Sequence, residues 1–221
     1  RHVDHCDAAL GRALRARFGD HDEARFHALR EANRFAPYRN GYRERPLPEI
    51  TRELVVALYG TEPTAAELEA LVAVRFDAFV SVIEAEPGTL AGLRALRRRF
   101  RLAVLSNYPC GRSIRLSLER VGILSLLDAV VVSGDLGFAK PHPAPFAEVC
   151  TGLGCAPAEV LFVGDNWLAD VQGARRAGMT AVHLRRWTPP EHFTPEPDDL
   201  PPHATIERLE ELLALTGAGA R

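Results

Sequence analysis

Four short apolar runs recur after Pro87, and they constrain the fold of this chain more than any other feature. The runs are RLAVLS at 101–106, DAVVVS at 128–133, VLFVG at 160–164 and TAVHL at 180–184. Each is rich in β-branched residues and nearly continuous, which is typical of strands covered on both faces. Helical stretches lie between them, near 112–121, 143–153 and 168–177. Alternating strands and helices predict an α/β fold with a doubly wound, Rossmann-like parallel sheet.

The first 86 residues show helical periodicity only. Apolar residues recur at helical spacing from Val3 to Phe18. A second helix is predicted to begin at Asp20, which serves as its N-cap, with Glu23 three positions later. We therefore expect two helices before the first proline of this segment.

Two further helices are predicted after a loop rich in Pro, Arg and Tyr at 37–48. The third helix spans 48–59 and ends at Gly60, and Thr64 with Glu67 forms a capping box that opens a long fourth helix. Four helices joined by short loops indicate a small antiparallel bundle.

We expect two domains, a helical bundle over residues 1–86 and an α/β domain over 87–221. In the second domain, a Pro-rich loop at 188–202 leads to a closing helix at 206–215.

Polar side chains follow three of the predicted strands. Ser106 and Asn107 end the first run, the second leads to Lys140, and Asp165 follows the third with Asp170 five residues later. Ligands of open parallel sheets bind outside the carboxyl ends of the strands. We therefore expect a hydroxyl, an ammonium and two carboxylates to meet at one edge of the sheet.

Lys140 is the only lysine among the 27 Lys and Arg residues of the chain. Lysine carries a compact tetrahedral charge that fits between two oxyanions, whereas arginine offers a planar fork. The one position where arginine was not used is therefore a candidate for a narrow anionic site.

This set of residues suits phosphoryl transfer. A phosphate dianion repels anionic nucleophiles, so the site must supply cations and directed donors. Asp165 would hold Mg²⁺, a hard ion that prefers carboxylate and water oxygens. Ser106 would contact phosphate oxygens, and Lys140 would bridge the phosphate and the nucleophile. Each residue also has a structural alternative, because Ser106 and Asp165 could cap helices and Asp170 could be a first-turn acid.

Three motifs resemble those of the haloacid dehalogenase (HAD) superfamily. VLSN is similar to its second motif, SGDLGFAKPHPAPF to its third and FVGDNWLADVQGARRAGM to its fourth. The match spans about residues 87–186, and the helical segment before it resembles the family's inserted cap domain.

The resemblance implies a role for each site residue. Ser106 and Asn107 would line the phosphate, and Lys140 would steady both nucleophile and phosphate. Asp165 would ligate magnesium. Asp170 would belong to the same metal site, orienting metal-bound water or pairing with Lys140.

The family's nucleophile lies in a DxDxT motif at the end of a first β-strand. Asp4 and Asp7 have the wrong spacing for this motif and follow no apolar run, so we interpret them as acids at a helix start. We expect the motif upstream of residue 1. Without its strand, each buried backbone group left without a partner would cost about 1–3 kcal/mol, so the 221 residues alone should fold poorly and be inactive.

The resemblance predicts a Mg²⁺-dependent phosphomonoester hydrolase that acts on a small phosphorylated metabolite through an aspartyl-phosphate. One alternative is a 2-haloacid dehalogenase, which needs no magnesium. Asp165 directly after Gly164 argues against it. The dehalogenases of the family that this chain resembles have a Ser-x-Asn pattern in the fourth motif instead. The other alternative is a non-catalytic binding or scaffold protein that has kept the fold.

In this family the cap closes over the leaving group of the phosphate. The loop residues Arg39, Asn40, Tyr42 and Arg43 are therefore candidates for substrate contacts, or solvated loop residues. Sugar phosphates, phosphoglycolate and nucleoside monophosphates all remain open as substrates.

Composition disfavours several other classes of protein. A net charge of −2 and a pI near 6.5 provide no basic field for nucleic acid or membrane surfaces. No apolar stretch reaches 18 residues, and no GxGxxG or P-loop motif follows a predicted strand. The four cysteines show no CxxC pair, which favours reduced thiols; they are Cys6, Cys110, Cys150 and Cys155. We expect a soluble, cytoplasmic monomer or homodimer.

Overall fold

Helices occupy the first part of the chain in the computed structural model, which describes residues 2–187 and 195–218. These helices are α1 (His2–Phe18), α2 (Glu23–Arg39), α3 (Leu47–Tyr59) and α4 (Ala65–Val82). Strands and helices then alternate. They are α5 (Thr89–Arg97), β1 (Ala103–Ser106), α6 (Gly111–Arg120), β2 (Ala129–Val132), α7 (Ser133–Leu136), α8 (Pro143–Leu153), β3 (Leu161–Gly164), α9 (Gly173–Arg176), β4 (Thr180–Leu184), β5 (Ala204–Ile206) and α10 (Leu212–Leu215).

The helical segment has its own apolar core. Its completely or almost completely buried members are Leu10, Leu14, Phe26, Leu54, Val55 and Leu71. Full burial of one such side chain stabilises the fold by about 1.5–3 kcal/mol. The predicted ends of the helices agree with this packing. Thr64 and Glu67 form the capping box of α4, and Gly60 ends α3 in the left-handed conformation at a φ of 68°.

The predicted limits of α2 were wrong at both ends. Asp22, not Asp20, is the N-cap, because its carboxylate accepts the backbone N–H of Arg25. The helix also continues to Arg39 through Pro37, the first residue of the predicted loop. Pro37 lies in the last turn, and its carbonyl accepts the backbone N–H of Asn40 and of Tyr42, so the helix end is closed.

The strands form two parallel ladders. β1 pairs with β2, so that Ser106 lies opposite Val132. β3 pairs with β4, which pairs with β5, so that Gly164 lies opposite His183. All pairs are parallel, which confirms the predicted α/β class with a helical bundle before it.

Among the described strands, β1 pairs only with β2, and β3 pairs only with β4. β1 and β3 are therefore edge strands of their ladders. Leu105 of β1 and Phe162 of β3 pack against the same apolar cluster, which places the two edges on one core.

The structure corrects two predictions in the last third of the chain. The predicted helix at 206–215 begins instead with strand β5, followed by short helical turns at Leu209–Glu211 and in α10. Residues 168–177 open with a wide π-helical turn, Trp167–Gln172, before α9. Residues 188–194 of the predicted Pro-rich loop lie outside the described residues.

Hydrogen bonds and ring contacts join the helical segment to the α/β part. Tyr42 O accepts the N–H of Ala139 at 2.8 Å, and Glu44 accepts the Ser133 hydroxyl at 2.9 Å. The rings of Phe79 and Tyr108 stack at 4.0 Å. The predicted domain limit between residues 86 and 87 falls between α4 and α5 and stays a prediction. No described helix has both the length and the apolar character needed to cross a bilayer.

Candidate active site

The backbone of Lys140 is fixed by the side chain of Asn107. The amide oxygen of Asn107 accepts the Lys140 N–H at 2.8 Å, and its amide nitrogen donates to the Lys140 carbonyl at 2.9 Å. Asn107 follows β1, so these two hydrogen bonds tie the loop that carries Lys140 to the carboxyl end of that strand.

The ammonium of Lys140 lies in a buried anionic slot. It donates to Asp170 Oδ1 at 2.6 Å and to the carbonyl of Leu105 at 2.9 Å, and it lies 5.5 Å from the centre of the Phe162 ring. Lys140 is 7% exposed and Asp170 4%. Because Leu105 belongs to β1 and Phe162 to β3, the ammonium contacts both ladders.

The π-helical turn sets the position of Asp170. Its Oδ2 accepts the backbone N–H of Asn166 at 2.9 Å, and the Asn166 side chain accepts the N–H of Ala169 at 2.8 Å. Gly164 leaves room for this carboxylate, since a Cβ on Gly164 would overlap Cβ and Cγ of Asp170. The glycine of the Gly164-Asp165 pair therefore has a steric reason.

We expect Gly164→Ala to lower the free energy of unfolding by about 1–3 kcal/mol, the usual cost of overpacking, because Asp170 must move away from Lys140. Urea denaturation measures this change. Gly92→Ala in α5 is the matched control, because a Cβ there meets only the Glu210 side chain at 4.0 Å and alanine favours the helix. Equal stability of both variants would contradict the steric role of Gly164.

Asp165 lies at the carboxyl end of β3, in a half-buried position. Burial, and then the nearby charge of Asp170, raise the pKa of Asp165, whereas Lys140 and His183 act in the opposite direction. His183 is buried on β4, with Nε2 3.3 Å from the carbonyl oxygen of Asp165. Burial is also the main cause that lowers the pKa of His183. A cation beside Asp165 would offset the repulsion between the two carboxylates.

The carboxylates of Asp165 and Asp170 offer oxygen ligands, which Mg²⁺ prefers. Within residues 2–187 and 195–218, no group of three or more His, Cys, Asp and Glu side chains could hold a metal. Asp165 and Asp170 would therefore supply the carboxylates, and water or backbone oxygens would complete the shell. This fits magnesium, which keeps several waters and takes one or two carboxylates.

The structure brings the predicted residues together to different degrees. Lys140 contacts both Asp170 and Asn107. Asp165 is within electrostatic reach of Lys140 and Asp170. Ser106 ends β1 beside Asn107 and is partly exposed. The roles of all five residues stay predictions.

A cleft of about 390 Å³ opens beside these residues, between the helical segment and the α/β part. On the α/β side it is lined by Asn107, Tyr108 and Asn166. The loop residues predicted to contact a leaving group do not line it. Arg39 and Asn40 are exposed, and Arg43 packs over the ring of Phe138 at 5.4 Å. Tyr42 likewise holds the loop at 137–139 through its carbonyl.

Two side chains of the cleft were missed in the sequence. Tyr38 of α2 contacts the side chain of Asn107, and burial, followed by the charge of Asp170, raises its pKa. Arg75 is a buried charge of helix α4. Its position was readable, because Arg75 shares a helical face with the buried Leu71 and Ala78.

Asp7 also differs from its prediction as an acid of a helix start. It is 4% exposed, and Arg30 Nε donates to its Oδ1 at 2.8 Å. Arg34 Nη2 lies 3.7 Å from Oδ2. Asp7 is therefore a buried partner of two arginines.

A family model described as haloacid dehalogenase-like hydrolase matches residues 7–178, more than half of the chain. A glyceraldehyde 3-phosphate phosphatase of Methanopyrus kandleri is 32% identical over 73% of this chain and 69% of its own length. A phosphoserine phosphatase of Thermus thermophilus is 38% identical over 47% of this chain and 41% of its own length.

Solved structures agree with this match at the level of the fold. A 2-haloacid dehalogenase from Pseudomonas syringae superposes over 99% of this chain and 92% of its own, with a TM-score of 0.73 at 22% identity. A HAD phosphatase from Thermococcus onnurineus covers 84% of this chain and 79% of its own, with a TM-score of 0.57 at 26% identity. The chain thus spans less than half of the Thermus phosphatase. It spans nearly all of the Pseudomonas dehalogenase structure.

Proposed function

Because the chain belongs to the haloacid dehalogenase-like hydrolases, with their Rossmann-like core and helical cap, we propose that the full-length protein is a Mg²⁺-dependent phosphomonoester hydrolase. It acts on a small phosphorylated metabolite. The observation that carries this proposal is the buried Lys140–Asp170 pair beside Asp165, at the carboxyl ends of β1 and β3. Phosphatases among the curated relatives support it.

Asp165 and Asp170 would hold the metal. Bound Mg²⁺ supplies positive charge to the phosphate oxygens and so favours attack by an anion. Asp165, half-buried and next to a second carboxylate, favours a bound cation electrostatically. This environment favours the phosphatase over the metal-independent dehalogenase.

Lys140 would hold the phosphate and the attacking carboxylate together. Its ammonium is anchored by Asp170 and Leu105 O, so it is already oriented before a substrate binds. Asn107 fixes the backbone of Lys140, and Ser106 ends the same strand as a hydroxyl donor. Such preorganised donors lower the barrier because they need no rearrangement during the reaction.

The nucleophile would be an aspartate on a strand outside the 221 residues. The proposal is supported by the two strands, β1 and β3, that lack a partner between the ladders among the described strands, and by Lys140, which contacts both. A carboxylate oxygen attacks phosphorus, the bond to the leaving oxygen breaks, and that oxygen takes up a proton. Water then hydrolyses the aspartyl-phosphate, which releases phosphate and restores the carboxylate.

We expect the full-length protein to hydrolyse p-nitrophenyl phosphate with Mg²⁺ and to lose this activity in EDTA, and the 221-residue chain to show none. Release of p-nitrophenol, followed by absorbance, measures both. Halide release from 2-chloropropionate that EDTA does not reduce would instead identify a dehalogenase. No turnover of either substrate class, with a folded full-length protein, would support the non-catalytic scaffold.

A further inference from the structure

The cap side of the cleft carries more positive than negative charge. Three arginines, Arg30, Arg34 and Arg75, line it together with one buried carboxylate, Asp7. Asp7 is shared by Arg30 and Arg34, at 2.8 and 3.7 Å. We call these four residues the arginine cluster.

Arg75 has no carboxylate partner within ion-pairing distance among the described residues. Its Nη1 donates to the hydroxyl of Thr51 at 2.8 Å, and that hydroxyl donates in turn to the carbonyl of Leu47 at 2.7 Å. Arg75 is nevertheless only 7% exposed. A buried charge without a close counter-ion is costly. Asp7 favours the charged form of Arg75 only from beyond ion-pairing distance and already pairs with Arg30, so a ligand in the cleft would supply the missing negative charge.

The other titratable groups at the cleft do not neutralise the cluster. Glu44 lines the cleft where it meets the α/β part, and it accepts the Ser133 hydroxyl. Burial raises the pKa of Glu44, and also those of Cys6 and Tyr108. Each of these groups is therefore pushed toward its uncharged form.

Electrostatics within the cluster point the same way. Burial, and then the charge of Arg30, lower the pKa of Arg75 to about 9, which leaves the guanidinium cationic at neutral pH. A second anion would stabilise this charged form through bidentate hydrogen bonds, the geometry for which a guanidinium is suited.

We propose that the arginine cluster binds a second anionic group, a carboxylate or a phosphate, on the leaving group of the substrate. This inference rests on the proposed function, since Lys140 and the metal would hold the phosphate that is cleaved. The cleft joins the two ends, because Asn107 and Asn166, the neighbours of the reacting site, line it together with Arg30, Arg34 and Arg75. The stacked rings of Phe79 and Tyr108 provide an apolar wall for a short carbon chain.

A matched series of substrates tests the proposal on the full-length protein. The three esters are of similar length. Ethyl phosphate carries no second anion, 2-phosphoglycolate carries a carboxylate, and ethylene glycol bisphosphate carries a second phosphate. We expect kcat/KM to be at least tenfold higher for one of the two anionic esters than for ethyl phosphate. The better ester identifies which anion the cluster accepts.

Arg75→Met is expected to reduce this preference at least tenfold, and Arg34→Met to reduce it severalfold. Arg52→Met is the matched control, because Arg52 lies on the outer face of the same bundle and pairs with Glu62; it should keep the preference of the unmodified protein. Arg34 is exposed, so its substitution tests the proposal even if Arg75→Met does not fold. An unchanged preference in both variants would overturn the inference.

Direct binding separates this inference from the proposed function. Calorimetry with malonate in a phosphate-free buffer should show binding to the unmodified protein, and at least tenfold weaker binding to Arg75→Met. If no phosphate ester is hydrolysed but malonate binds in this pattern, the phosphatase proposal fails and the anion site stands. If esters are hydrolysed without any preference and malonate does not bind, the anion site fails alone.

Discussion

Lys140→Met should lower kcat of the full-length protein by about 10²–10³-fold, the usual effect of removing one preorganised donor from a reacting site. It should also lower the free energy of unfolding by about 3–5 kcal/mol. The stability loss arises because Asp170, at 4% exposure, loses the ammonium that lies 2.6 Å from its Oδ1. Steady-state kinetics and urea denaturation of the same preparation measure the two effects.

The double variant Lys140→Met/Asp170→Leu separates the two roles. Replacement of both buried partners by apolar side chains is often neutral for stability, but Asp170→Leu also removes the acceptor of the Asn166 backbone N–H. The double variant should therefore recover only part of the stability lost in Lys140→Met. Its activity should remain as low as that of Lys140→Met. A double variant that is as unstable as the single one would show that Lys140 stabilises the fold through contacts other than Asp170.

Asp165→Asn should reduce Mg²⁺-dependent hydrolysis on the order of 10³-fold, because several kcal/mol of transition-state stabilisation depend on the metal. In metal-free buffer it should make the protein more stable. Burial and Asp170 raise the folded-state pKa of Asp165, so its contribution to stability is complete only below the unfolded pKa. That contribution is lost as the pH rises through the folded pKa, and at neutral pH the charged side chain opposes folding.

Urea denaturation at pH 7 tests the role of Asp165 without an activity assay. It is measured once in EDTA and once in about 10 mM Mg²⁺, a concentration chosen to saturate the site. Magnesium should raise the midpoint of the unmodified protein and leave that of Asp165→Asn unchanged. Asp77→Asn is the control, because Asp77 is exposed on α4 and should respond to magnesium as the unmodified protein does. An equal response of Asp165→Asn would rule out Asp165 as a ligand.

The α/β class was predictable because its strands are continuous apolar runs of four to six residues, which few other structures explain. The same property made the carboxyl ends of the strands visible, and with them the approximate place of Lys140, Asp165 and Asp170. The short β5 was not predictable in this way. Its three residues, Ala204–Ile206, are too few to show a period, and the strand forms because β4 offers an edge with which it pairs.

The cap side of the cleft was harder to predict for a different reason. Residues that meet there come from α1, α2 and α4, and helical spacing alone does not tell which faces of three helices turn to one cleft. Because Pro37 precedes Tyr38, the sequence predicts a loop there. In the structure, α2 continues through Pro37 to Arg39 and includes Tyr38. The spacing of α4 places Arg75 on a buried face. Only the structure reveals that no carboxylate of the described residues lies within ion-pairing distance of it.

The inner edges of β1 and β3 also determine how this segment should behave in solution. Backbone N–H and C=O groups along an open strand edge are a template for other extended chains. Overexpressed alone, the 221 residues are therefore expected to self-associate into aggregates, and chaperones that shield such edges should improve their recovery. A synthetic strand that adds between the two ladders would suppress this aggregation at stoichiometric concentration.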